Sequence, residues 1–364
     1  MKLRIISNVF SGILLSINAA LALLLLICAY GPYLDPLHHP YLTNAGLAFP
    51  IFFFTNILFL FFWLLYKWKY ALLPFLALLV CYHQCREYMP INIFRPNPSE
   101  DCFKFLSYNV MAFEADKPNK KDSPNEILVY LQDCNADIIC LQEYILGSRL
   151  QKKDIDKALS KYPYRHHLSL ANGLNGLGCY SRYPILEAIP VEYPSKANGS
   201  IIYKIKKDDD TLMIINNHLE SNKLTIKDKK MYRDLLLESE KKEIKSHSRY
   251  LVGKLAEAVK IRAVQAKKVA DIIKNNKSST LIVCGDFNDS SLSYTHHLLE
   301  KGLTDAFTQS GNGMGISYHQ SGFYFRIDNI LISKNLKSYL CTVDDRIKNS
   351  DHYPIWCFIQ EKEK

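Results

Sequence analysis

The chain has 364 residues, 48% hydrophobic and 22% charged, with a formal net charge of +9 at pH 7. That length allows roughly two or three domains of ~100–200 residues. The charge excludes a general polyanion binder: residues 1–99 carry net +4, residues 100–364 net +5, and 222–262 alone hold net +6. Ten cysteines without regular spacing argue against a disulfide framework or a zinc site.

Residues 9–34 and 36–66 contain no Asp, Glu, Lys or Arg. The runs NVFSGILLSINAALALLLLICAY and GLAFPIFFFTNILFLFFWLLY match the ~20 apolar residues needed to cross hydrocarbon, predicting spans at about 8–30 and 46–66. A cleaved signal peptide does not fit, because the first run is too long and a second follows. Residues 70–86 are a third candidate. Their uncharged part, 70–85, reaches ~24 Å as helix, a length that snorkelling and bilayer thinning accommodate.

Lys2 and Arg4 precede the first run, and Lys67 and Lys69 follow the second, so both basic ends face the cytoplasm. A third span exports the rest of the chain, to the periplasm if the membrane is a bacterial inner membrane. Without it the rest stays cytoplasmic. Cys140, Cys179, Cys284 and Cys357 sit in apolar runs as small hydrophobes, which suits a reducing compartment better. The expectation carried forward is an integral membrane protein with three spans and an exported domain.

A linker at 96–102 opens on Pro96-Asn97-Pro98, where proline blocks helix and ladder. From 103 to 364, strand-like runs alternate with helical ones: FKFLSYNV, ADIICLQE, GLGCYSRYPI, SIIYKI, TLMIINNHL, STLIVCGDFN, RIDNILIS and HYPIWCFI. Helical periodicity fills 126–135 and 226–275. Apolar strands with helices between them predict one layered α/β domain of sheets covered by helices.

Four strand termini carry polar ligands: Asn109 in FLSYNV, Glu143 closing DIICLQE, Asp286 and Asn288 in CGDFN, and Asp351 and His352 in KNSDHYPI. Asp286 and Asn288, two apart on an extended backbone, face the same side. If these ends converge they form an oxygen-rich pocket, suited to Mg²⁺ or Mn²⁺.

The ordered set SYNV, LQE, YSRYPI, NNHL, GDFND, RIDNIL and SDHYPI resembles the endonuclease/exonuclease/phosphatase superfamily, across roughly 103–359. The resemblance implies a DNase I-like four-layer α/β/β/α sandwich behind an N-terminal transmembrane helical segment. The helices and the insertion resemble a membrane-anchored bacterial branch. The resemblance further implies Glu143 as principal metal ligand with Asn109 and Asp351, and Asp286 and Asn288 facing a scissile phosphate and its nucleophile. His352 would be the catalytic imidazole and Asp328 its partner. His218 would bind a phosphate oxygen or protonate the leaving group.

The implied activity is Mg²⁺-dependent hydrolysis of a phosphodiester or phosphomonoester. A bilayer partner favours a phospholipid headgroup as substrate; the alternatives are a tethered nuclease acting on nucleic acid and a non-catalytic binding or sensory protein. No obligate protein partner is evident. The insertion at 222–262 reads as an amphipathic helix on the domain or as a basic surface against anionic headgroups. Residues 172–178, NGLNGLG, read as a turn before a strand, and Phe323-Tyr324-Phe325 as strand and core.

Overall fold

The computed structural model describes residues 2–114, 124–147, 150–225, 227–228, 231, 241–277, 279–320 and 322–362. The chain divides into two compact units, Met1–Tyr88 with Leu292–Tyr294, and Met89–Ser291 with Thr295–Lys364.

In the first unit, helices Lys2–Tyr30 and Phe49–Tyr66 pack together. At ~1.5 Å per residue they are ~43 and ~27 Å long. Two stretches, Ile5–Tyr33 and Pro40–Tyr66, are long and apolar enough to cross a membrane. Little of either is covered by protein: Leu65 is 91% exposed and Leu58 68%. Exposed leucines of this kind are costly in water and at home in lipid. Between the helices, Trp63 Nε1 donates to Asn18 Oδ1 at 3.1 Å, and Asn18 Nδ2 to Asn56 Oδ1 at 3.3 Å. Interhelical amide bonds of this type hold helices together where the surroundings offer no other partner. The third predicted span is not one helix. Leu72–Val80 and Tyr82–Tyr88 meet at Cys81, and the apolar stretch Trp68–Val80 is shorter than the two long ones.

The second unit contains fourteen described strands: β1 (Phe103–Asn109), β2 (Ile138–Gln142), β3 (Tyr164–Leu170), β4 (Asn175–Ser181), β5 (Ile185–Val191), β6 (Gly199–Lys207), β7 (Asp210–His218), β8 (Thr280–Asp286), β9 (Leu303–Asp305), β10 (Tyr318–Gln320), β11 (Phe323–Phe325), β12 (Asp328–Ser333), β13 (Leu336–Val343) and β14 (Ile355–Glu361). One six-stranded sheet runs β13-β14-β1-β2-β4-β3 and a second β5-β6-β7-β8-β12-β9; β10 and β11 form a separate hairpin. Each large sheet contains one parallel pair, β1 with β2 and β7 with β8.

The two sheets share a core that includes Phe105, Ile138, Cys140, Ile214, Ile282, Cys284 and Ile330. On the outer face of the first sheet, Leu106 and Ile139 pack with Ile127 and Leu131 of helix Glu126–Asp133. On that of the second, Met213 and Val283 pack with Ala266, Val269 and Ile273 of helix Lys241–Asn275. Helix, sheet, sheet and helix give the four-layer α/β sandwich.

Period-two alternation sorts the side chains between these layers. Along β1 the inner face reads Phe105, Ser107, Asn109; along β2, Ile138, Cys140, Gln142; along β7, Ile214, Asn216, His218; along β8, Ile282, Cys284, Asp286. Each inner row starts apolar and ends polar at the same end of the sandwich. Apolar residues weld the sheets along most of their length, and the polar remainder lines one rim.

Two expectations are corrected, and part of a third lies outside the described residues. Asn288 does not share an extended backbone with Asp286: β8 stops at Asp286, and Asn288 has φ of +52°. Phe323-Tyr324-Phe325 is strand but not core, with Tyr324 57% exposed. The helix after β7 is described from Lys241; Ile226 and Leu235-Leu236 lie outside the described residues.

Candidate active site

Strand register brings the polar ends into two facing rows. Across the second sheet, His218 lies opposite Asp286 and Asp286 opposite Asp328. Across the first, Asn109 lies opposite Gln142, with Glu143 following at φ of +50°. The turn before β14 adds Asp351 and His352: Ser350 Oγ donates to Asn109 O at 2.8 Å and accepts from His352 N–H at 3.1 Å. This turn is thereby tied to the end of β1.

Asp286 sits at the centre. Its Oδ2 accepts from Asn109 Nδ2 at 3.0 Å and lies 3.7 Å from both His218 Nε2 and His352 Nε2. Its Oδ1 accepts from Asn288 N–H at 2.8 Å. Asn109 Nδ2 also donates to Glu143 Oε1 at 3.1 Å, and its Oδ1 accepts from Met111 N–H. His352 Nδ1 and Asp328 Oδ2 are 2.7 Å apart, and Asp328 is held by its own N–H donating to Ser317 Oγ at 3.0 Å. Asp286, Asp328 and His352 offer ligand atoms within 4.8 Å of one another.

His218 has a defined tautomer. Asn175 Oδ1 accepts from Gly176 N–H at 2.7 Å, leaving its Nδ2 to donate to His218 Nδ1 at 3.2 Å. The ring hydrogen therefore stays on Nε2, the nitrogen facing Asp286 and, at 3.8 Å, Glu143.

Burial and charge drive the two imidazoles apart. Burial opposes a charged His352, but the Asp328 and Asp286 carboxylates outweigh it and hold the ring well above its ordinary pKa. Burial dominates at His218 and lowers it, so that ring is neutral. Burial, reinforced by Asp328, pushes Asp286 up to about 6. Glu143 is also raised by burial, against the pull of His352 and Asn109.

Glu143, Asp286, Asp328 and Asp351 thus face a single imidazolium. Among the described residues no Lys or Arg pairs with any of the four, and the Asp351 carboxylate takes no hydrogen bond. A hard divalent cation fits this excess of oxygen and negative charge. Glu143 and Asp351, with Asn109 beside them, would hold it.

All eight residues singled out in the sequence lie at this rim. Asn288 turns aside, its Nδ2 donating to Leu219 O at 2.9 Å. Sequence reasoning missed Asn175, although counting back by twos from Cys179 and Leu177 places it on the inner face. Ser317 carried no signal in the sequence, and neither did Tyr318, whose ring lies 5.1 Å from that of His352.

A family model described as "Endonuclease/Exonuclease/phosphatase family" matches residues 106–352, and a domain of unknown function, DUF8431, matches 11–88. No curated protein matches. Among solved structures, a humanized D. rerio TDP2 is 17% identical with a TM-score of 0.50, covering 72% of this chain and 100% of that one. An endonuclease/exonuclease/phosphatase from Bacteroides vulgatus is 15% identical with a TM-score of 0.50, covering 72% and 99%. ANGEL2, a 2′,3′-cyclic phosphatase, is 14% identical with a TM-score of 0.51, covering 75% and 100%. At these identities the likeness is one of fold.

Proposed function

Starting from the chain's membership of the endonuclease/exonuclease/phosphatase family, a family of metal-dependent phosphoric ester hydrolases, we propose a membrane-held, Mg²⁺-dependent phosphoesterase acting on a lipid headgroup. The observation that carries the chemistry is Asp286 Oδ2 lying 3.7 Å from two imidazoles, of which only His352 is backed by a carboxylate, Asp328 at 2.7 Å. His352 already holds its proton and cannot accept another. Asp286, with a pKa of about 6, is deprotonated yet basic near neutral pH and takes the proton of the attacking water. That oxygen bonds to phosphorus as the bond to the ester oxygen breaks, and solvent protonates the departing alkoxide.

His352 and His218 donate their Nε2 hydrogens to the phosphoryl oxygens, stabilising charge as it grows there. Asn109 holds Asp286 and Glu143 in register. A bound Mg²⁺ would neutralise the phosphate and polarise it for attack. Asp328 keeps His352 charged and oriented.

The lipid reading rests on two helices apolar enough to span a bilayer. An exported, periplasmic catalytic unit further requires 70–86 to cross as well. A reporter fused at Lys364 tests that; a cytoplasmic reporter confines the chemistry to the inner face.

The substrate test offers phospholipid vesicles and duplex DNA in parallel to the full chain with Mg²⁺, with Asp286→Ala as control. Headgroup release absent from the control supports the proposal. DNA cleavage with intact vesicles replaces it with a tethered nuclease. No turnover of either by folded, metal-loaded protein removes the lipid and nucleic-acid readings together.

A further inference from the structure

Helix Lys241–Asn275 takes no part in the chemistry above, yet it carries a buried charge aimed at the loops that do. Arg262 is 1% exposed. Its Nε donates to Asp289 Oδ2 at 3.1 Å, and its Nη1 donates to Glu220 O at 2.7 Å and Asn222 Oδ1 at 3.1 Å. Three residues along the same face, Gln265 Oε1 accepts from Glu220 N–H at 2.8 Å. Asp289 is itself anchored by Thr295 Oγ1 at 2.9 Å.

These partners occupy two loops. Glu220 follows His218 at the end of β7, and Asp289 follows Asp286 and Asn288 at the end of β8. The loops also touch directly, Leu219 N–H donating to Asp286 O at 3.0 Å. One guanidinium therefore grips the main chain of the His218 loop and a side chain of the Asp286 loop. A lysine carries the same charge but cannot span both, because it lacks the rigid fork.

We infer that Arg262 is a positioning residue, whose fork sets the spacing between His218 and the Asp286–Asn288 turn. The inference rests on the phosphoesterase reading for its kinetic consequences but not for its geometry. A misplacement of about 1 Å in such a site costs up to about a hundredfold in rate.

The test uses the full chain, bis(4-nitrophenyl) phosphate and Mg²⁺, with Arg262→Lys alone and combined with Asn288→Ala. The expected result is a fall in kcat of about ten- to a hundredfold, with KM within about twofold. In the Asn288→Ala background the same change should cost less than about threefold, since coupled residues are non-additive. Equal losses in both backgrounds would reduce Arg262 to general stability and overturn the inference.

If Arg262→Lys does not fold, Asp289→Ala removes one arm of the clamp and enters the same cycle. Histidine-selective ¹⁵N NMR of the metal-free chain gives a readout without turnover. A displaced His218 resonance in Arg262→Lys supports the inference, and an unmoved one overturns it. A wild-type chain that leaves the probe intact counts against the phosphoesterase reading, and the NMR result still stands on Arg262.

Discussion

His218 and His352 are the same residue type, each 3.7 Å from a shared carboxylate oxygen, yet only one is charged. The difference is Asp328 on the far nitrogen of His352, against Asn175 on that of His218. Asp328→Asn should lower the His352 pKa, because it removes the carboxylate that stabilises the imidazolium, moving the alkaline limb of the kcat/KM profile to lower pH. An unmoved limb would assign it to another group. The same pair affects stability. A raised folded pKa means its contribution is complete below the unfolded value, ~6.5, and is lost as pH rises through the folded one. The melting-temperature gap between wild type and Asp328→Asn should therefore narrow on the alkaline side. Glu143 is tested through the metal. At about a hundredfold over Kd, Mg²⁺ should stabilise the wild type by ~2.7 kcal/mol. Calorimetry of Glu143→Gln should find less than half of this, and full stabilisation would move the ion elsewhere. Apart from Asn175, these residues were readable in the sequence because each lies at or beside an end of an apolar strand. Their protonation was not, since it depends on neighbours contributed by other strands.

Among elements, β8 shows how the backbone shapes the site. Gly285 has φ of +117°, and a Cβ there would lie 2.0 Å from Asn217 O on the parallel neighbour β7. Gly285→Ala should destabilise the catalytic unit by ~2 kcal/mol or more in denaturant unfolding; a change near zero would mean the two strands part easily. Central strands were the easiest to find from sequence, because burial on both faces makes their runs apolar. β3 and β13 close the edges of the first sheet, β5 and β9 those of the second. Three of them escaped the sequence reading, and β5 was caught only at its first residue. The exposed outer faces of β3 and β5 replace apolar residues with charged and polar ones, as Arg165 and Glu187 show. The β10–β11 hairpin misled in the other direction: aromatic residues suggested core, but the pair stands apart from both sheets.

For the molecule as a whole, two N-terminal helices are long and apolar enough to cross a membrane, and outside 222–262 the catalytic unit is near neutral, so the proposed membrane attachment is by burial in lipid rather than by charge. The full chain should remain with membranes through high-salt and alkaline carbonate washes, whereas a chain beginning at residue 97 should be released. Extraction of the full chain by salt alone would make the attachment electrostatic, since screening at ~1 M salt shrinks to ~3 Å. The buried Asn18–Asn56–Trp63 contacts show that the helical unit has its own specific packing.

Composition and period-two alternation determined by themselves the apolar N-terminal runs, the inner strands and the polar residues that close them, because burial on a sheet face leaves a local record in the chain. Spacing along the chain could not determine which ends meet. Asn109, Glu143, His218, Asp286, Asp328 and His352 come from six separate segments, and only strand order and register place them around one carboxylate. The turn at Asn288, the tautomer of His218 and the reach of Arg262 into two loops were likewise decided in three dimensions. Each depends on a hydrogen-bond partner distant in sequence, and such a partner leaves no periodic trace.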